Sequence, residues 1–194
     1  MQSKTSRADR SSAVMLVIDI QERLAAAMAR REQVTARSRL LMHVARITGV
    51  PIIVTRQYPQ GLGDIEGPLR SWVQAQASGG AVVHEVDKMS FDCFAESSFS
   101  NLVGSVGRRQ LIVCGMETHI CVTQTALSGL DRGFDVQVAA DACSSREQEC
   151  HRLALDRMSA AGVTRTTVES VAYELVGRAG TPEFKELLAA VKAG

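Results

Sequence analysis

Short runs of apolar, β-branched residues alternate along this chain with longer segments whose apolar residues recur at helical spacing. The short runs predict buried strands at about residues 13–19, 51–56, 81–88, 109–116, 134–141 and 163–167. The longer segments predict helices at about residues 22–48, 68–77, 94–105, 118–132, 147–162, 167–177 and 182–192. Such alternation is typical of a mostly parallel sheet with right-handed crossovers and helices on both faces.

The pattern also indicates how the chain is divided. Its 194 residues suit one domain, and no internal repeat or linker interrupts the alternation. We expect residues 1–12, which are polar, to be a flexible N-terminal tail, and residues 13–194 to form a single domain. The stretch QYPQGLGDIEG (57–67) is interpreted as a flexible loop over the functional site.

Composition narrows the class of protein. A net charge of +1 gives no indication of a nucleic-acid or membrane partner, and the apolar runs are too short to cross a bilayer. Five cysteines, an odd number without the dense spacing of a secreted scaffold, indicate reduced thiols. We therefore expect a cytoplasmic protein that acts on a small molecule.

Three chemically useful residues follow different predicted strands. Asp19 ends the first strand, Lys88 ends the third, and Cys121 follows the fourth in the first turn of a helix. In parallel sheets, ligands bind at the carboxyl ends of the strands, beside the point where the strand order reverses. A helix N-terminus and an ammonium group favour a thiolate nucleophile, and a carboxylate can carry its proton. Each residue alone also has an ordinary structural interpretation, and only their coincidence favours a catalytic site.

The remaining cysteines are weaker candidates for a catalytic role. Cys114 lies inside a strand, and Cys93 is near enough to Lys88 to border the site but begins no helix. Cys143 and Cys150 flank the start of a later helix and are interpreted as packing residues.

Neither a metal nor a cofactor is expected. The four histidines are dispersed without metal-ligand spacing, and the glycines at 61–67 lack the spacing and position of a dinucleotide fingerprint.

Several segments resemble the isochorismatase-like cysteine hydrolases. They are VIDIQ (17–21), DKMSF (87–91) and GMETHICVTQTALSGLDRGFDVQVAADACSSR (115–146). The resemblance extends from about residue 13 to the C-terminus and is greatest to the isochorismatase domain-containing proteins, through VTRQYPQGLG (54–63) and the C-terminal segment. It implies a three-layer α/β/α sandwich, Rossmann-like, around a mostly parallel six-stranded sheet.

The resemblance also implies roles for individual residues. Asp19 corresponds to the family's base, Lys88 to the group that lowers the pKa of the thiol, and Cys121 to the nucleophile. A cis peptide is implied between Met116 and Glu117, and an oxyanion hole at the backbone amides of Glu117 and Cys121. Candidate substrate-binding residues are Gln21, Gln57, Tyr58, Phe91, Thr118 and His119.

The implied activity is hydrolysis of a small amide or related C–N bond through a thioester, without a metal. Nicotinamidases of the superfamily carry metal-binding histidines after the second strand, where this chain has none, so nicotinamidase activity is not favoured. Two alternatives stay open, namely a non-catalytic binding or scaffold protein and a redox-responsive thiol protein. Family likeness also predicts a homo-oligomer.

Overall fold

One parallel sheet forms the middle layer of the molecule. The computed structural model describes residues 7–76 and 80–193. The strands are β1 (Ala13–Ile18), β2 (Ile52–Gln57), β3 (Val83–Lys88), β4 (Gln110–Met116), β5 (Asp135–Ser144) and β6 (Thr164–Thr166). The helices are α1 (Glu22–Ala26), α2 (Arg31–Thr48), α3 (Pro59–Leu62), α4 (Gly67–Gln76), α5 (Ser97–Val106), α6 (Thr123–Asp131), α7 (Gln148–Ala161), α8 (Val168–Val176) and α9 (Pro182–Ala193).

The strand order places the reversal at the centre of the sheet. The order is β3-β2-β1-β4-β5-β6, and every neighbouring pair is parallel. Because the order reverses between β1 and β4, right-handed crossovers place α2 and α4 on one face and α5, α6 and α7 on the other. Helices α8 and α9 pack against α2. The predicted α/β/α sandwich with a parallel six-stranded sheet is therefore confirmed.

The central strands are apolar along their whole length because helices cover both faces of the sheet. Every residue of β1 and of β4 is buried. Gly115 has a φ of +135°, and a Cβ at this position would lie 2.1 Å from the backbone oxygen of Ile18. A glycine is therefore required where β4 approaches the end of β1.

The structure differs from the sequence prediction in several connections. The helix predicted over 22–48 is divided into α1 and α2, and the buried Met28 lies in the break between them. The helix predicted over 118–132 starts as a π turn, Thr118–Val122, before α6 begins. The segment 57–67 is not a free loop, because it contains α3 and is hydrogen-bonded to the segment that follows β1. Asp64 O accepts from Glu22 N (2.9 Å), and Glu66 N donates to Ile20 O (2.8 Å).

The N-terminal tail predicted over residues 1–12 lies partly outside the described residues. Residues 1–6 of the predicted tail lie outside the described residues, as do residue 77 of a predicted helix and residue 194. Residues 7–12, in contrast, are bonded to the domain: Ala8 N donates to Glu174 Oε2 (2.7 Å) and Asp9 N to Gln110 Oε1 (2.8 Å). Over residues 7–76 and 80–193, no helix has the length and apolar character needed to span a membrane.

Candidate active site

The carboxylate of Asp19 and the ammonium of Lys88 form a buried ion pair at the carboxyl edge of the sheet. Asp19 follows β1 with a φ of +52°, a left-handed conformation that aspartate tolerates better than most residues. Its Oδ1 accepts a hydrogen bond from Thr55 Oγ1 (2.7 Å), and its Oδ2 lies 2.6 Å from Lys88 Nζ. Both charged side chains are fully buried.

The Lys88 ammonium is held by neighbours on two strands. Besides Asp19 it meets Gln57 Oε1, to which Nζ donates at 2.6 Å, and the carbonyl oxygen of Ser90 at 3.2 Å. An ammonium group has three N–H donors, so these acceptors fix its orientation. Burial is the largest single influence and lowers the pKa of Lys88, but the interactions with Asp19, Cys93 and Cys121 together outweigh it, so the pKa is raised above its ordinary value. Lys88 is therefore positively charged at neutral pH.

The Cys121 thiol lies against this ion pair in the π turn that precedes α6. It is 5% exposed and lies close enough to Asp19 and Lys88 for both charges to act on its pKa. Burial raises the pKa of Cys121, the Asp19 charge raises it further, and the opposing charge of Lys88 does not compensate. The net shift favours a thiol at rest, while the Lys88 charge by itself lowers the pKa, which is the role that the resemblance implies for it. A thiol of this kind needs a base in order to act as a nucleophile, and the Asp19 carboxylate lies beside it.

The turn that carries Cys121 is anchored to the segment after β5. Three consecutive residues of or beside this turn each hydrogen-bond to that segment: Glu117 Oε2 accepts from Arg146 N (2.9 Å) and Nε (3.2 Å), Thr118 Oγ1 pairs with His151 Nδ1 (2.8 Å), and His119 Nδ1 pairs with Ser145 Oγ (2.8 Å). His119 therefore faces away from the sulfur, as the helical spacing indicates.

Glu117 also offers a backbone donor next to the turn that carries Cys121. The peptide bond between Met116 and Glu117 is cis. Among the described residues, no hydrogen-bond acceptor is found for the Glu117 amide. A free, fixed amide next to a nucleophilic sulfur is the type of group that binds an oxyanion.

Two of the predicted substrate-binding residues have their amide groups bonded within the protein. Gln21 is fully buried; its Nε2 donates to Gln57 O (3.1 Å) and Gly63 O (2.8 Å), and its Oε1 accepts from Gln57 N. Gln57 Nε2 donates to Met89 O (2.7 Å), and its Oε1 accepts from Lys88. These two side chains connect β2 to the segments after β1 and β3, and their amide groups are already hydrogen-bonded within the protein, so they are poor candidates for binding a substrate.

Of the other four predicted substrate-binding residues, two are bonded within the protein and two are exposed. Thr118 is fully buried against His151, and the His119 ring is bonded to Ser145. Tyr58 and Phe91 are about half exposed, and they follow the carboxyl ends of β2 and β3. Tyr58 and Phe91 are thus the members of the predicted list that can present an apolar surface to a ligand.

No feature of the sequence indicates that Thr55 contacts Asp19. Thr55 lies within the apolar run of β2 and reads as an ordinary strand residue. Only the pairing of β2 with β1 brings its hydroxyl to the carboxylate.

Other ionisable groups surround the three central residues. Cys93 is fully buried and interacts electrostatically with Asp19, Lys88 and Cys121; burial raises its pKa to about 12. Burial likewise raises the pKa of Cys114 to about 12. All five cysteines are free thiols. Within the described ranges, no group of three or more His, Cys, Asp or Glu side chains could hold a metal ion.

Comparison with known proteins gives a consistent result. The family model described as "Isochorismatase domain" matches residues 13–170. "Isochorismatase domain-containing protein 1" of Salmo salar is 36% identical over 184 residues, which are 94% of this chain and 62% of that protein. The chain thus spans less than two thirds of that relative's length.

Solved structures have the same fold. The structure named MAR1 ribonuclease from Caenorhabditis elegans superposes with a TM-score of 0.86 and 31% identity, covering 96% of this chain and 93% of that one. The YcaC product of Escherichia coli, described as an octameric hydrolase of unknown specificity, gives a TM-score of 0.79 and 26% identity, with 97% of both chains covered. From the family match and these likenesses, the chain belongs to the isochorismatase family.

Proposed function

We propose that the protein is a cysteine-dependent hydrolase that cleaves a small amide or related C–N bond through a thioester. The observation that carries this proposal is the contact of the Cys121 thiol with a buried Asp19–Lys88 ion pair. A carboxylate buried without solvent beside a thiol has no evident structural benefit, since replacing such charges by apolar residues is often neutral or stabilising. It is well suited to moving a proton.

The proposed reaction begins with the thiol. As Sγ of Cys121 bonds to the substrate carbonyl carbon, Asp19 takes the thiol proton, and the carbonyl oxygen becomes an oxyanion. The amides of Glu117 and Cys121 are the proposed donors to this oxyanion. When the C–N bond breaks, Asp19 returns the proton to the leaving nitrogen, and a thioester remains. Asp19 then takes a proton from water as the water oxygen bonds to the thioester carbon. When the C–S bond breaks, Asp19 returns this proton to Sγ, so the acid is released and both the thiol and the carboxylate are restored.

Lys88 has a constant electrostatic role in this scheme. Its ammonium is fixed by Asp19, Gln57 and Ser90, so it does not itself transfer a proton. Its positive charge lies against the Asp19 carboxylate and offsets the negative charge that develops on sulfur and oxygen.

Access to the sulfur favours a small substrate. Cys121 is 5% exposed, so only a narrow group can approach Sγ. The half-exposed Tyr58 and Phe91 provide apolar surface for the rest of such a molecule. A homo-oligomer is proposed from the octameric relative.

The proposal is tested with a panel of small primary amides, with ammonia release as the measurement. We expect the wild-type protein to release ammonia from at least one amide, and Cys121→Ala and Asp19→Asn to abolish turnover. Cys150→Ala is the matched control, because Cys150 lies in α7 and has no contact with the ion pair. Full activity of Cys121→Ala would reject the mechanism.

A second arm of the test uses RNA, because the C. elegans relative is named as a ribonuclease. A net charge of +1 does not favour a polyanionic substrate, and a buried thiol with a carboxylate is suited to a carbonyl carbon. We therefore expect no cleavage of single-stranded RNA. If the protein cleaves RNA in a reaction that requires Cys121 and hydrolyses no amide of the panel, the proposed substrate class is wrong and RNA takes its place.

A further inference from the structure

A cleft separate from the Asp19–Lys88–Cys121 site lies at the carboxyl edge of the sheet, next to the π turn that carries Cys121. Its volume is about 540 Å³. It lies between the connection from α1 to α2, the strands β5 and β6, and the first turns of α7 and α8. Its lining residues are Arg30, Ala140, Asp141, His151, Leu155, Arg165, Thr166, Thr167 and Ser170.

Two guanidinium groups in this cleft lack a close carboxylate. Arg30 Nε donates to the neutral Gln33 Oε1 (3.1 Å), and no ion pair of Arg30 is found in residues 7–76 and 80–193. Arg165 is 3.9 Å from Asp156 Oδ1, and Asp156 is already bound by Arg152 at 2.7 Å. Both positive charges are therefore available to a ligand.

The acidic residue in the cleft does not neutralise these arginines. Asp141 Oδ1 accepts a hydrogen bond from the amide of Val168 (2.8 Å), at the start of α8, and Oδ2 faces Arg37 at 3.7 Å. The Asp141 charge is thus compensated by other groups, and the cleft keeps a net positive character.

His151 adds a buried donor that points into the cleft. The residue is 8% exposed, and its Nδ1 is bonded to Thr118 Oγ1 (2.8 Å). Its other ring nitrogen, Nε2, has no hydrogen-bond partner in the described part of the chain. Burial lowers the pKa of His151, and the charges of Arg30 and Arg165 lower it further, so the ring is neutral. If Thr118 donates to Nδ1, the ring proton is on Nε2.

We propose that this cleft binds the phosphate group of a small molecule. Two arginines and the imidazole of His151 line it, together with Thr167 and Ser170, whose hydroxyls are bonded to each other at 2.9 Å. A tetrahedral oxyanion can accept hydrogen bonds from such separate directions, and arginine binds phosphate especially well. The cleft exceeds one phosphate in size, so an organic phosphate has room for its remaining atoms. Through His151 alone, the ligand would be connected to Thr118, the first residue of the π turn that carries Cys121.

The test is calorimetric titration with inorganic phosphate, glycerol 3-phosphate and acetate at constant ionic strength. We expect saturable binding of the two phosphates, with acetate about tenfold weaker or worse. Arg165→Gln should weaken phosphate about tenfold, since Arg165 is exposed enough to be replaced without unfolding the protein. His151→Asn, which can keep the bond to Thr118 but loses Nε2, should also weaken it.

Arg109→Gln is the matched control, because it removes the same charge from the opposite edge of the sheet, at the start of β4. Tighter binding of glycerol 3-phosphate than of inorganic phosphate would identify an organic phosphate as the occupant, and equal binding would identify the free ion. The proposal is overturned if phosphate does not saturate, if acetate binds equally well, or if Arg165→Gln and Arg109→Gln behave alike. None of these outcomes depends on hydrolase activity.

Discussion

Replacing Lys88 by methionine tests whether the buried ion pair has the strength that its geometry implies. Lys88→Met keeps most of the side-chain volume and removes the ammonium. Asp19 then stays fully buried with only Thr55 as a hydrogen-bond partner among the described side chains. Gln57 Oε1 also loses its donor.

The size of the effect follows from the distance between the charges. At 2.6 Å and an effective dielectric constant of about 20, the Coulomb attraction is about 6 kcal/mol before desolvation is subtracted. Breaking a buried pair by removing one partner costs about 3–5 kcal/mol, because the other charge is left uncompensated. We expect Lys88→Met to lower the free energy of unfolding by that amount, and Asp19→Asn to lower it less, since Gln57 and Ser90 still bind the ammonium.

The decisive measurement is a double-mutant cycle by urea unfolding, followed by circular dichroism. The double variant Asp19→Asn/Lys88→Met contains no unpaired charge, so it should be more stable than the two single effects predict, by about 3 kcal/mol. The exposed pair of Arg152 and Asp156, whose charged atoms are 2.7 Å apart compared with 2.6 Å in the buried pair, is the control and should give additive effects. Additive effects at Asp19 and Lys88 would refute the claim that the two charges depend on each other.

Four smaller predictions follow from single contacts. Gly115→Ala should destabilise the protein by about 2 kcal/mol or more in urea unfolding, and more than Gly107→Ala, whose Cβ would meet nothing within 4 Å. The rate of Cys121 alkylation by iodoacetamide should keep rising with pH, because burial raises the pKa of the thiol; a plateau near neutral pH would contradict this. Burial lowers the pKa of His151 in the folded state, so the unfolded chain binds a proton more readily. The contribution of His151 to the free energy of unfolding is therefore fully present above the unfolded pKa of about 6.5 and decreases as the pH falls below it. In urea unfolding at different pH values, His151→Asn should make this decrease smaller. Thr55→Val should lower kcat about tenfold with KM little changed, and Thr55→Ser should restore it, if Thr55 orients the base.

The sequence could predict the sheet because its signal is local. Runs such as AVMLVI (13–18) are apolar on both faces, which occurs where helices cover both sides of a parallel strand. The three central residues could be proposed from equally local signals, since Asp19 follows the first apolar run, Lys88 ends the third predicted strand and Cys121 follows the fourth. The family resemblance then supplied the pairing of roles.

The contacts that hold the site could not be predicted, because they depend on which strands are neighbours. Gln57 and Lys88 are register partners at the ends of β2 and β3, and this pairing brings Gln57 Oε1 to the ammonium. In the sequence alone, a glutamine before a loop looks like a residue free to meet a substrate. The break between α1 and α2 and the π turn also lacked a signal, since neither contains proline or glycine.

The strand order also explains why the residue at the end of β3 has to be long. Neighbouring strands lie about 4.8 Å apart, and β2 separates β3 from β1, so the backbones of Lys88 and Asp19 are about two spacings apart. A short side chain at position 88 could not cross β2. Because the lysine does cross it, the end of β2 is covered by a charged group, and Thr55 and Gln57 are placed to bind the two members of the pair. The intervening strand β2 is therefore part of the site. It lies between the two strands that carry the charged residues, and it provides the polar groups that make the burial of both charges possible.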